Sequence, residues 1–175
     1  MTWTTFHHRG ELLRLVTATA DERRDAILPM DLAGVTETFG DELTLLAALQ
    51  LKWHTRLAGS IERALVDQPM DLEEAIEVAW GETADTLPGI RMVLDRYRAE
   101  PVDDAMAAVL IKATGNEHMM LAVMAGRSSV GDATAVAVGA RLEAAARLRH
   151  RRIPTVVLPS ERPSLLDRLR AVVAA

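Results

Sequence analysis

Residues 41–67, DELTLLAALQLKWHTRLAGSIERALVD, decide the fold of this chain because they predict one long amphipathic helix. Successive side chains turn by about 100° around a helix, so residues three and four apart share a face. Asp41 is placed to cap the N-terminus of this helix. The apolar face contains Leu43, Leu46, Ala47, Trp53, Leu57, Ile61, Ala64 and Leu65.

Two polar residues, Gln50 and His54, interrupt the centre of this apolar face. A buried amide and a buried imidazole each need a hydrogen-bond partner. We therefore expect other side chains to meet them, in a structural polar layer or in a small binding site.

The rest of the chain also favours helices, since 49% of its residues are hydrophobic and only 3% are aromatic. We expect an N-terminal helix at residues 9–19 and a short one at 21–27, and residues 32–39 are ambiguous. Longer helices are expected at 71–98, from 101 to the loop at 126–131, and at 133–149. Asp71 can cap the first of these, and Pro88-Gly89 should kink or break it.

Four long helices with short loops predict an all-α, single-domain protein with a four-helix up-down bundle at residues 41–150. The bundle domain is expected to span residues 1–152, including the extra N-terminal helices. Residues 153–175 have a different sequence pattern from the bundle. Residues 153–163 contain three prolines and predict extended chain, and residues 164–174 predict a short amphipathic helix that docks on the bundle or on a partner.

Composition and motifs exclude several classes of protein. The chain has no cysteine, which removes disulfides and thiol chemistry, and no apolar run long enough for a transmembrane helix. Its net charge of −5 argues against nucleic-acid binding. A helix-turn-helix in residues 21–48 would begin its recognition helix with Asp41 and Glu42, which would repel phosphates. We expect a cytoplasmic protein that binds neither membrane nor nucleic acid.

Counting residues outward from the centre of each loop gives the height of a residue along the bundle axis. By this count His54 lies at the same height as Thr83, Asn116 and a position beside Ala140. Glu82, Glu117 and Arg141 lie at the margins of the same level. His118 points to the opposite face of its helix and is excluded. Gln50 lies about one turn away, near the expected kink at Pro88, where a freed backbone carbonyl could accept its amide.

The candidate layer therefore consists of His54, Gln50, Thr83, Asn116, Glu82, Glu117 and Arg141. Three interpretations stay open: a closed polar layer that sets helix register, a small-ligand pocket, and a metal or catalytic site. The Glu-x-x-His spacing of helical di-iron sites is absent from the long helices. We predict no catalytic residue, metal or cofactor.

The function expected from these features is that of a soluble, non-enzymatic interaction or regulatory module. It is expected to be a homodimer, because Leu45, Leu49 and Leu51 lie beside the core stripe as surplus apolar surface. A protein partner could also bind the C-terminal tail. The alternative is a small-molecule- or metal-binding bundle with its polar site around His54.

Two phrases, LQLKWHTRLAG at residues 49–59 and LPGIRMVLDRY at residues 87–97, give the chain a family resemblance. Over about residues 9–150 it resembles an uncharacterised all-helical family of high-GC actinobacteria. The resemblance implies a bacterial, helical protein and carries no activity or site.

Overall fold

The described part of the protein is all-helical, as the sequence predicts. A computed structural model describes residues 3–66, 69–129 and 131–152, without the side chains of residues 3–6 and 152, and these residues form seven α-helices and no strand. The helices are α1 (Trp3–Arg23), α2 (Val35–Phe39), α3 (Glu42–Val66), α4 (Leu72–Thr86), α5 (Pro88–Ala99), α6 (Asp104–Met124) and α7 (Ala135–Arg152). Among them, no helix is long and apolar enough to cross a membrane.

Helix α3 forms where the amphipathic pattern predicts it. Its first turn is capped by Asp41, whose Oδ1 accepts a hydrogen bond from the backbone N–H of Thr44 at 2.7 Å. The side chains of Leu46, Trp53 and Leu57 are fully buried in the core. The apolar face of this helix therefore organises the packing of the rest.

The single helix expected at residues 71–98 is two helices, α4 and α5. Asp71 caps α4 as predicted, accepting from the backbone N–H of Glu74 at 3.0 Å. The chain breaks at Leu87 (φ −131°, ψ 53°), and Pro88 is the first residue of α5. Proline lacks an N–H and collides with the preceding turn, which is why the helix stops here instead of bending.

Helix α1 continues through the region where two separate helices were expected, and the prediction of a helix at 21–27 is wrong. The chain leaves α1 with positive φ at Arg24 (47°) and Ala26 (61°), which no helix allows. The end of α1 packs on the start of α5, where Gly89 donates its N–H to Asp21 Oδ1 at 2.8 Å. A Cβ on Gly89 would overlap the carbonyl group of Ala20, so this contact requires glycine.

Helix α6 begins at Asp104, later than the expected start at Pro101, because Asp103 caps it by accepting from the N–H of Met106 at 2.7 Å. Helices α6 and α7 approach very closely at Gly139. A Cβ there would overlap the backbone carbonyl of His118. The absence of a side chain at Gly139 thus permits close packing and brings His118 beside α7.

Four helices enclose most of the core: α3 packs on α4, α4 on α7, α7 on α6, and α6 on α3. Helix α5 packs against α3, α4 and α6, and α1 covers α5 from outside. The simple up-down order is not confirmed, since α7 packs between α4 and α6. The predicted tail at residues 153–175 lies outside the described residues, and the predicted domain boundary stays a prediction.

Candidate functional site

The centre of the bundle holds a buried carboxylate, that of Glu117 on α6, which is 1% exposed. It accepts two hydrogen bonds from α3, from Gln50 Nε2 at 3.2 Å and from Trp53 Nε1 at 3.1 Å. Arg91 on α5 is the nearest cation, with Nη1 3.8 Å from Glu117 Oε1. Gln50, one of the two polar residues that interrupt the apolar face of α3, is therefore hydrogen-bonded to a charged group on α6.

Arg91 is almost completely buried against the ring of Trp53, with its guanidinium carbon 4.7 Å from the ring centroid. Its Nη2 lies 2.7 Å from Asp95 Oδ1. Burial lowers the pKa of Arg91, and the charges of Asp95 and Glu117 oppose that shift. Within the described part of the chain its guanidinium nitrogens have no well-aligned hydrogen-bond acceptor, so charge and ring contact hold Arg91 in place.

Arg147 on α7 extends the network outward from Asp95. It donates to both oxygens of Asp95, at 2.8 and 2.6 Å, and to Glu143 Oε1 at 3.0 and 2.7 Å. Burial would raise the pKa of Asp95, but hydrogen bonds from Arg147 and the charges of Arg91 and Arg147 lower it overall. Arg147 also lies over the ring of Trp80, 4.9 Å from its centroid.

Glu143 is the second buried carboxylate, and three cationic or polar groups converge on it. His118 Nε2 lies 2.6 Å from Glu143 Oε2, and Arg98 donates to both oxygens at 3.0 and 3.3 Å. Burial alone would raise the pKa of Glu143. The hydrogen bonds from His118 and Arg98, with the charges of Arg98 and Arg147, instead hold this pKa far below its ordinary range.

We call this set the buried charge network after its buried members, while Asp95, Arg98 and Arg147 are only partly buried. It balances three arginines against three carboxylates and joins α5, α6 and α7, with α3 attached through Gln50 and Trp53. Its members are Arg91, Arg98, Arg147, Asp95, Glu117, Glu143 and His118. Because Asp95 and Glu143 have lowered pKa values and are held by arginines, they are poor proton acceptors near neutral pH. The arrangement fits a structural role better than acid–base catalysis.

A surface groove lies in front of this network, between α3 and α6. We call it the α3–α6 groove; its volume is about 250 Å³. Its polar residues are Gln50, His54 and Asn116, and Gln50 links it to the buried Glu117 behind. The remaining lining residues are apolar: Leu43, Leu46, Ala47, Leu51, Val109, Leu110 and Ala113.

The predicted polar layer is thus only partly assembled. His54, Gln50 and Asn116 share the groove, while Glu117 lies behind it. Thr83 is buried but donates within its own helix, to the carbonyl of Ala79 at 2.8 Å. Thr83, predicted to lie level with His54, does not line the groove.

Glu82 and Arg141 also lie away from the groove. Both are exposed, and Arg141 lines a separate recess with Glu73 and Glu77 between α4 and α7. The expected backbone partner for Gln50 near Pro88 is wrong as well, because its amide donates to the carboxylate of Glu117.

His118 lies on the face of α6 opposite α3, as its exclusion from the layer supposed, and that face is covered by α7. Helix α7 packs on the side of α6 opposite α3 and brings Glu143 to His118. A signal for this network was present in the sequence: Arg91 with Asp95, and Glu143 with Arg147, have the four-residue spacing of helical ion pairs.

Metal binding gains no support from the described side chains, which contain no cluster of three or more His, Asp or Glu able to hold an ion. Comparisons with known proteins do not place the chain in a family: no family model, curated protein or solved structure matches it. The resemblance to actinobacterial proteins stays a prediction.

Proposed function

We propose that this chain is a non-enzymatic interaction module that self-associates through the outer face of α3 and α6. The observation that carries the proposal is the exposed apolar surface around the α3–α6 groove. Leu51 is 66% exposed and Val109 is 40% exposed on opposite walls of the groove. Contiguous apolar surface of this kind on a folded domain is typical of a protein interface.

The composition of α6 supports the same proposal. Apolar residues occur all round this helix, on the exposed side as well as on the sides that meet α3 and α7. A helix that is apolar on every side is usually buried on every side. The outer side of α6 therefore calls for a cover, which none of the residues that the structure describes provides.

A second copy suits this face because the face carries almost no charge. Of the ten residues that line the groove, His54 is the only titratable one. In a two-fold dimer the same patch meets itself, so a strongly charged patch would repel its own copy. The α3–α6 face avoids that repulsion.

The leucines expected to form the dimer surface need correction. Leu45 and Leu49 are fully buried inside the bundle, where they pack in its core, and only Leu51 of the three is exposed. We therefore place the proposed interface at the groove that α3 forms with α6, and not on the flanks of α3.

A small-molecule site is the second candidate, favoured by the amide and imidazole groups at one end of an apolar groove. Its volume of about 250 Å³ lies below the range of roughly 300–1,000 Å³ typical of ligand pockets. That size suits a few apolar side chains from a partner better than a whole ligand.

Native mass spectrometry with metal analysis distinguishes the two candidates in one measurement. Self-association predicts a dimer of unmodified chain mass. A monomer that retains a small molecule or a metal, and loses it in His54→Ala, would replace the proposal with the ligand-binding alternative. A dimer that persists unchanged in His54→Ala supports the interaction module.

A further inference from the structure

A second groove lies on the other side of Leu51, between α3, the C-terminal end of α4 and α1. Its volume is about 720 Å³, larger than that of the α3–α6 groove. We call it the basic groove, because apolar residues form its floor and cations its rim: Leu13, Ala48 and Leu87 with Lys52, Arg56 and Arg63. None of the residues that line it is acidic.

The three cations are not neutralised by carboxylates among the residues that the structure describes. Lys52, Arg56 and Arg63 form no ion pair with any carboxylate of the described residues, and Arg63 donates to the Ser60 hydroxyl at 2.9 Å. The whole chain has a net charge of −5, so this groove is a local positive exception. Two copies could not meet through it without like-charge repulsion.

The groove has the length and floor of a helix-binding site. It follows α3 from Ala48 to Arg63, which at 1.5 Å per residue is about 22 Å, or four helical turns. Its floor includes Gly59, where an added Cβ would contact only the Arg63 guanidinium, at 3.6 Å. Small side chains at this position let another helix approach closely.

We propose that the basic groove binds an acidic amphipathic helix of a partner protein. The apolar stripe of such a helix would lie on Leu13, Ala48 and Leu87, and carboxylates on its flanks would pair with the rim cations. The groove is concave, and Leu87 on its floor is only 7% exposed, so a flat bilayer would not reach it. The chain's own predicted helix at 164–174 has the wrong charge, since Arg168 and Arg170 flank its leucines.

Fluorescence anisotropy with two synthetic four-turn peptides tests the proposal. Both carry leucine at helical spacing. All remaining positions are glutamate in one peptide and lysine in the other. We expect saturable binding of the glutamate peptide to the full chain. The variant Lys52→Glu/Arg56→Glu should weaken that binding at least about tenfold and should bind the lysine peptide instead. Circular dichroism verifies that the variant is folded.

Two matched controls isolate the groove. Lys112→Glu, which reverses an exposed cation of α6 outside the groove, should bind the glutamate peptide like the unmodified chain. Val109→Asp should bind it too, which separates this proposal from self-association through the α3–α6 groove.

Four results of the binding experiments would overturn the proposal. These are the absence of saturable binding of the glutamate peptide, equal binding of both peptides, an equal loss in Lys112→Glu, and binding of phosphatidylglycerol vesicles without binding of the peptide. Dissociation of the dimer by Lys52→Glu/Arg56→Glu would likewise contradict it, because it would assign the groove to a second copy.

Discussion

Gln50 on α3 donates its side-chain amide to the carboxylate of Glu117 on α6 across 3.2 Å, between residues 67 positions apart in the chain. This hydrogen bond joins the surface of the protein to its charged interior, because Gln50 lines the α3–α6 groove and Glu117 belongs to the buried charge network. The hydrogen bond to Glu117 therefore fixes the Gln50 side chain, which forms part of the groove wall.

The first prediction concerns the charge of Glu117. Glu117→Gln keeps the size of the side chain but leaves Arg91 buried with one carboxylate fewer. Breaking a buried ion pair from one side costs about 3–5 kcal/mol, and we expect urea denaturation to show a loss near the lower end of this range. Glu82→Gln, at an exposed position of α4, should change stability by less than about 0.5 kcal/mol. Equal stabilities of the two variants would contradict the role given to Glu117.

The second prediction compares two helical glycines. Gly139→Ala would drive a methyl group into the backbone carbonyl of His118 and force α6 and α7 apart, at a cost of about 1–3 kcal/mol or more. Gly115→Ala on α6 meets nothing within 4 Å and should stabilise the helix by up to about 1 kcal/mol. Thermal denaturation of both variants checks the opposite signs. Two changes of the same sign would refute the close packing of α6 and α7.

The third prediction follows from the lowered pKa of Glu143. The unfolded chain binds a proton near the ordinary value of 4.5, and the folded chain does not. Stability is therefore fully present above pH 4.5 and falls as the pH drops below it, by up to about 1.4 kcal/mol per pH unit for this one group. Denaturant titrations from pH 7 downward should show this slope.

The lowered pKa of Asp95 adds to the same acid sensitivity. Glu143→Gln removes one titrating group and should flatten the slope while lowering stability at pH 7. An unchanged slope in Glu143→Gln would show that Glu143 is not the group that is protonated.

The fold is predictable from the sequence where local signals decide it. The apolar spacing in residues 41–67 identifies α3, and Asp41 and Asp71 cap the helices that follow them. The sequence also identifies Gln50 as a buried amide that needs a partner. These features depend on periodicity and on capping, which act within a few residues.

The arrangement of the helices and the partners in the core could not be predicted in the same way. Counting along helices assumes that residues 71–98 continue as one helix, but the break at Leu87 makes α5 a separate element that inserts Arg91 into the core. Since α6 is apolar all round, its pattern does not show which face meets α7, and the contact of His118 with Glu143 could not be predicted. Long-range pairing of charges depends on that packing.

Self-association through the α3–α6 face is tested most directly by sedimentation equilibrium of two matched variants. Val109 and Val78 are both valines on helix surfaces, 40% and 39% exposed, but only Val109 lines the groove. We predict that the unmodified chain and Val78→Asp are dimers and that Val109→Asp is a folded monomer. A monomeric unmodified chain, or a dimer that survives in Val109→Asp, would contradict the account.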